Sequence, residues 1–250
     1  EGGSSVVDCI NSTWYGTDTT VCNNWNVGYS GVDHLGGGTG FNIVSEDGSG
    51  RSAKGVFRNC VAFNCDGAAF FVRNTDGCGA TISCDNCKAY DSSWGFMTID
   101  AAMYLNHCDA NANRYDQNKF MYGGAGISYM GSASGSAADC VSQGANCGLW
   151  ANANNCIEIK NTKLMKSLAG VFVTTGQAAK AYLLEDCDIY ENTTGISNGF
   201  FNRPVGEVRT SHIRNNKTGI INSGTITMSE NEVLDNEVGI ENGDGACIIQ

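Results

Sequence analysis

Cys187-Asp188-Ile189-Tyr190-Glu191-Asn192-Thr193-Thr194-Gly195-Ile196 is followed by Ser211-His212-Ile213-Arg214-Asn215-Asn216-Lys217-Thr218-Gly219-Ile220, then by Asn231-Glu232-Val233-Leu234-Asp235-Asn236-Glu237-Val238-Gly239-Ile240. Each stretch has a small or polar anchor, an aliphatic residue two positions on, asparagine at five, glycine at eight and isoleucine at nine. The pattern extends upstream to the anchors Cys60, Cys87, Cys108, Cys140 and Thr162, with Ala68, Gly95, Asp116, Gly148 and Gly170 eight positions on. Gaps between anchors run from 20 to 32 residues while the internal offsets stay fixed. Constant strands joined by variable loops mark a solenoid.

Side-chain direction follows from the period of two in a strand. The anchor and the residue two past it (Ala62, Ala89, Ala110, Ser142, Leu164, Ile189, Ile213, Val233) share the inner face, so positions one and three past it face out. The slot at five, with Asn113, Asn192, Asn216 and Asn236 alongside Ser92 and Ser167, reads as a tight corner. Asparagine tolerates left-handed backbone there, and stacked copies can bond one another along the axis. No unit carries an apolar stripe of helical period, and Gly, Asn, Ser and Thr interrupt every stretch. The predicted fold class is therefore all-β: a right-handed parallel β-helix with coils of about 20–30 residues. It forms one domain over residues 1–250, with no internal linker. A single proline, Pro204, beside 33 glycines suits a sheet whose backbone donors are all in use.

A net charge of −11 and a pI near 4.6 argue against nucleic acid and anionic membrane surfaces as partners. No apolar run of about 18 residues offers a membrane span. The chain opens at Glu1, and Val6–Cys9 and Ala246–Ile249 already read as coil strands. It is expected to be a fragment or processed part of a longer chain, with adjoining segments or partner subunits covering both ends.

Thirteen cysteines would suggest a disulfide framework in a small secreted domain, but this chain has a core of its own. Cys60, Cys87, Cys108, Cys140 and Cys187 occupy the anchor column, where thiols act as small buried hydrophobes. Cys84-Asp85-Asn86-Cys87 is a CxxC without a second CxxC or a placed histidine, and on a straight strand its thiols would face opposite ways. A disulfide among Cys65, Cys78 and Cys84 stays open.

Chemistry on a β-helix belongs to the outer faces or the loops, because the interior is filled. Phe63 and Tyr90 fall three past adjacent anchors, with Lys88, Asp91 and Asp109 near. Phe63, Tyr90, Lys88 and Asp109 are the candidate glycan-binding residues, rings for sugar faces and polar groups for hydroxyls. Plain cross-coil packing is the alternative reading of the aromatic pair. Ten past the anchor stand Phe70, Met97, Asn118, Trp150, Phe172, Ser197, Ile221 and Glu241. The apolar members Phe70, Met97, Trp150 and Phe172 read as an interface, covered by a second copy, an adjoining domain or a long loop such as Lys119–Ala138. The aspartates Asp66, Asp76, Asp85, Asp91, Asp100, Asp109 and Asp116 share no column, so no metal site is assigned and calcium is left open as a cofactor. His34, His107 and His212 lie far apart in the repeat and read as structural.

Arg58-Asn59-Cys60-Val61-Ala62-Phe63-Asn64 and Asp85-Asn86-Cys87-Lys88-Ala89-Tyr90-Asp91, each followed by a small residue and an aromatic, resemble coils of the right-handed β-helix pectate lyases and related carbohydrate-acting proteins. The resemblance covers residues 38 to 245 by repeat logic. It implies a polysaccharide or surface glycan as partner. Calcium-dependent members carry an aspartate cluster at the turn where this chain has Asn64-Cys65-Asp66-Gly67, with one carboxylate. Of the polygalacturonase pattern only Asn74-Thr75-Asp76 is present. As a lyase, the chain's best catalytic set would be Lys88, Arg58, Asp66 and Asp91. Phage tailspikes and bacterial surface proteins are similar in their Gly, Asn and Ser richness. The expectation is an extracellular, cell-surface or virion β-helix, a fibre, spike or adhesin component presenting an elongated face to glycans. A polysaccharide lyase or glycoside hydrolase acting on acidic glycans is the alternative, and a structural spacer the third.

Overall fold

The structure is a computed structural model describing residues 7–10, 13–17, 19–22, 38–45, 51–65, 67–75, 77–113, 124–174, 180–199 and 203–250. Its regular elements are strands, joined in parallel into sheets of 10, 10 and 9 strands. Each coil visits them in turn. Trp94–Ile99 lies in the first sheet, Ala102–Asn106 in the second and Asp109–Asn111 in the third, and the chain then returns to the first at Ala125–Gly131. This is a parallel β-helix, in which each strand pairs with its counterparts one coil above and below.

The anchor immediately precedes each strand of the third sheet, as in Lys88–Tyr90, Asp188–Tyr190 and His212–Arg214. Left-handed backbone brackets those short strands. The residue before the anchor has φ of 51° at Asn86, 50° at His107 and 55° at Asp186. The residue four past the anchor has φ of 50° at Asp91, 55° at Lys166 and 56° at Glu191. The corner expected at the asparagine is therefore real, but the left-handed residue is its predecessor.

The asparagine itself points inward and serves as a rung. Asn216 Nδ2 donates to Ile189 O and Asn236 Oδ1, each at 3.0 Å, while its Oδ1 accepts from the Asn192 N–H at 3.0 Å. These side chains satisfy backbone groups that the corner removes from the ladder. The glycine column eight past the anchor lies against this ladder. A Cβ on Gly170 would come within 2.7 Å of Gly195 O, and one on Gly195 within 2.5 Å of Gly219 O. Close approach, not a turn, requires glycine there.

The core runs the length of the coil. Phe41, Phe70 and Phe96 stack at 4.7 and 4.9 Å, and Ile127, Leu149, Val171, Ile196 and Ile220 continue the row. Phe70 is thus fully buried inside, which corrects its expected outward position. The Cys60 coil has one more residue between its anchor and this row than the Cys87 coil, and a slip of one residue flips a strand side chain to the other face. Phe71, not Phe70, is the register partner of Met97. Within the expected loop 119–138, Ala125–Gly131 and Ser134–Ala138 are coil strands.

Candidate functional site

The outer face of the third sheet carries the residues picked out for glycan. Phe63 and Tyr90 stack with ring centroids 4.9 Å apart and planes 5° from parallel. The same row continues through Asn111, Gln143 and Met165 to Tyr190, one residue per coil. Two positions earlier on the strand, on the same face, run Val61, Lys88, Asp109 and Val141. Lys88 is exposed, whereas Asp109 is partly covered and its Oδ1 is buried without a hydrogen-bond partner. Desolvation pushes the Asp109 pKa up, and the Lys88 ammonium opposes the shift. Farther along, Arg214 donates to both oxygens of Asp188, from Nε at 3.1 Å and NH2 at 2.8 Å, and covers the Tyr190 ring at 4.6 Å. The face therefore has an open half around Tyr90 and a half closed by its own ion pairs.

Phe63, Lys88, Tyr90 and Asp109 share this face. Asp91 lies at its edge as the exposed left-handed corner residue. Arg58 ends a strand of the second sheet and sits across the Asn59 corner, on a different face from Lys88. The lyase set is therefore split over two faces, and its remaining member, Asp66, lies outside the described residues.

A second feature was missed from sequence because it precedes the anchor. Four positions before it come Val56, Ser83, Tyr104, Ser136 and Glu158, in register along the outer face of the second sheet. Here a shallow groove of about 400 Å³ is lined by Arg58, Ser83, Asp85, Tyr104, Asn106 and Ser136, among others. Tyr104 is 47% exposed. Asp85 Oδ1 accepts from Asn106 Nδ2 at 2.9 Å and has His107 Nδ1 at 3.8 Å. Columns counted backward from the anchor would have exposed this row.

Five anchor thiols, Cys60, Cys87, Cys108, Cys140 and Cys187, are buried and free, and so is Cys84. The left-handed corner at Asn86 turns both Cys84 and Cys87 inward, which corrects the expectation that they face apart. Burial pushes the Cys84 thiol well up. Cys108 is raised chiefly by its neighbour Cys140, and burial takes Cys187 to about 11, so these thiols stay protonated. Among the described residues no group of three His, Cys, Asp or Glu side chains is arranged to hold a metal ion.

The apolar outer column of the first sheet forms a second buried cluster. It contains Phe71, Met97 and Phe172, with Trp150 packed against it and stacked on Trp94 at 5.4 Å. Met97 and Phe172 are covered within the chain, and only Trp150 of the four expected interface residues keeps partial exposure. Asn118 of this column lies outside the described residues.

No known family profile and no curated protein sequence matches the chain. Its likeness to solved structures lies in the fold. The A-module of Azotobacter vinelandii mannuronan C-5 epimerase AlgE4 superposes with a TM-score of 0.50 at 11% identity, covering 100% of this chain and 77% of that one. The AlgE6 A-module of the same organism gives 0.52 at 13%, with 100% and 76% covered. The tailspike protein gp49 of Acinetobacter baumannii bacteriophage Fri1, a capsular polysaccharide depolymerase, gives 0.52 at 11%, covering 94% of this chain and 44% of that one. The chain is thus a parallel β-helix of the architecture found in polysaccharide-acting and tailspike proteins.

Proposed function

We propose that the chain is the β-helix of an extracellular, cell-surface or virion component, a fibre, spike or adhesin, that holds a polysaccharide along the outer face of its third sheet. The observation that carries this reading is the row Phe63, Tyr90, Asn111 and Gln143, one residue per coil. Coils repeat every ~4.8 Å, close to the advance of a sugar chain per residue, so successive sugars meet successive side chains. Phe63 and Tyr90 cover one face of each other and offer sugar their remaining faces and edges, while the amides and Lys88 bond hydroxyls. The architecture of proteins named for mannuronan and capsular polysaccharide supports the substrate class. Binding to a panel of immobilised polysaccharides tests it. The wild-type chain is expected to retain at least one, and Tyr90→Ala to weaken that interaction about tenfold, the loss of one stacking platform. Unchanged binding by Tyr90→Ala would remove the third sheet from the site.

One observation favours a second reading, in which the chain cleaves what it binds. Asp109 has a raised pKa and an unpartnered carboxyl oxygen beside the sugar face, the environment of a proton donor. Release of reducing ends or unsaturated sugars by wild type and not by Asp109→Asn would establish it. Binding without products would leave the adhesive role.

A further inference from the structure

We propose that the groove of the second sheet around Tyr104 is a separate subsite for a carboxylate-bearing sugar unit, with Tyr104 as the stacking platform and Arg58 as the partner of the carboxylate. The proposal rests on the reading of the chain as a polysaccharide binder and adds a second face and a substrate class to it.

Tyr104 differs from Phe63, Tyr90, Trp94, Trp150 and Tyr190 in having no ring or cation packed on it among the described residues. Phe63 and Tyr90 cover each other, Trp94 stacks on Trp150, and Tyr190 lies beneath Arg214. The register neighbours of Tyr104 are Ser83 on one side and Ser136 on the other, too short to cover a ring. It is 47% exposed at the middle of a groove of about 400 Å³. An aromatic side chain left half in water between two serines suits a pyranose, whose apolar face needs such a platform.

The charge at the groove's edge selects the sugar. Three cations on or beside this sheet are neutralised: Lys160 pairs with Glu185 at 3.1 Å, Lys180 with Glu207 at 2.9 Å, and Arg209 also with Glu207. Arg58, in the same outward column as Lys160 and Arg209, makes no ion pair among the described residues. Its planar fork matches a carboxylate bidentately. Asp85 beside it has Oδ1 engaged by Asn106 and its second oxygen available for a sugar hydroxyl. With a net charge of −11 the overall field repels a polyanion, so any acidic glycan retained is held by local contacts.

The test is calorimetric titration of the full chain with a polygalacturonate oligosaccharide and with the same oligosaccharide after reduction of its carboxyls. Wild type is expected to bind the acidic form more tightly. Arg58→Gln should weaken the acidic form about tenfold and leave the reduced form unchanged, and Tyr104→Ala should weaken both about tenfold. Both side chains are exposed, and circular dichroism verifies that the variants fold. Acidic binding that survives both substitutions but falls with Tyr90→Ala would overturn this subsite and keep the third-sheet reading. Equal affinity of wild type for the two oligosaccharides, or no binding of the acidic one, would also overturn it. Failure of wild type across the wider polysaccharide panel would overturn the functional reading itself.

Discussion

Cysteine, threonine and serine exchange freely at the anchor because each supplies the same hydrogen bond. Cys108 Sγ donates to Asn106 O at 3.3 Å, Thr162 Oγ1 to Lys160 O at 2.9 Å and Ser211 Oγ to Arg209 O at 2.7 Å. Each of these carbonyls also accepts a backbone N–H from the preceding coil, as Asn106 O does from Asn86 at 3.0 Å, so the anchor adds a second donor to a carbonyl already in the ladder. Cys108→Ser should therefore lower stability by no more than about 1 kcal/mol in urea denaturation, whereas Cys108→Leu should lose about 1–3 kcal/mol to overpacking. The buried anchor thiols should react with a thiol reagent only as fast as the chain unfolds. Asp109 behaves oppositely to a stabilising carboxylate. Its folded pKa lies above the unfolded value, so its contribution favours the fold below the unfolded pKa and is lost as pH rises through the folded one. Asp109→Asn should accordingly raise the melting temperature at neutral pH and leave it nearly unchanged in acid, by a margin kept small because the side chain is half in water.

At the scale of the element, the short strand of the third sheet is defined by its two corners. Lys166 holds φ of 55° where a β-branched residue is strained, so Lys166→Val should cost about 1–2 kcal/mol although the position is on the surface. Asn216→Ala removes a rung that bonds Ile189 O, Asn236 and the Asn192 N–H, and should cost about 2–3 kcal/mol by leaving buried backbone groups unpaired. The elements legible in the sequence are those at fixed distance after the anchor, because a strand of three residues between two corners leaves no freedom in register. Inward Ala62, Ala89 and Ala110 and outward Phe63 and Tyr90 follow from that constraint. Phe70 does not, because its coil has one more residue than the next between the anchor and the strand Ala68–Asn74, which shifts that strand by one and so exchanges its faces. Tyr104 is equally regular, but its column runs backward from the anchor. That Cys84 and Cys87 both point inward depends on the corner at Asn86, for which their spacing gives no sign.

On the whole molecule, the stacked coils convert a repeat in sequence into rows of side chains along an axis. The interior rows are apolar or hydrogen-bonded from end to end, whereas the outer rows change character. Cations and carboxylates pair toward the C-terminal coils, at Arg214 with Asp188 and Lys160 with Glu185, whereas earlier coils carry the stacked Phe63 and Tyr90 and the half-exposed Tyr104. Inward residues of the last coil, such as Ile240 at 36% exposure, have no coil stacked on them in this chain. A solenoid that binds along its axis engages one sugar per coil, which separates it from a pocket that recognises a single unit. The most direct measurement is therefore the affinity of wild type for oligosaccharides of increasing length, prepared from the polysaccharide it retains best. The expected result is an affinity that climbs with each added sugar until the chain spans the row from Phe63 to Gln143, and a shallower climb for Tyr90→Ala. An affinity already complete with one sugar, or identical in the two proteins at every length, would contradict the account.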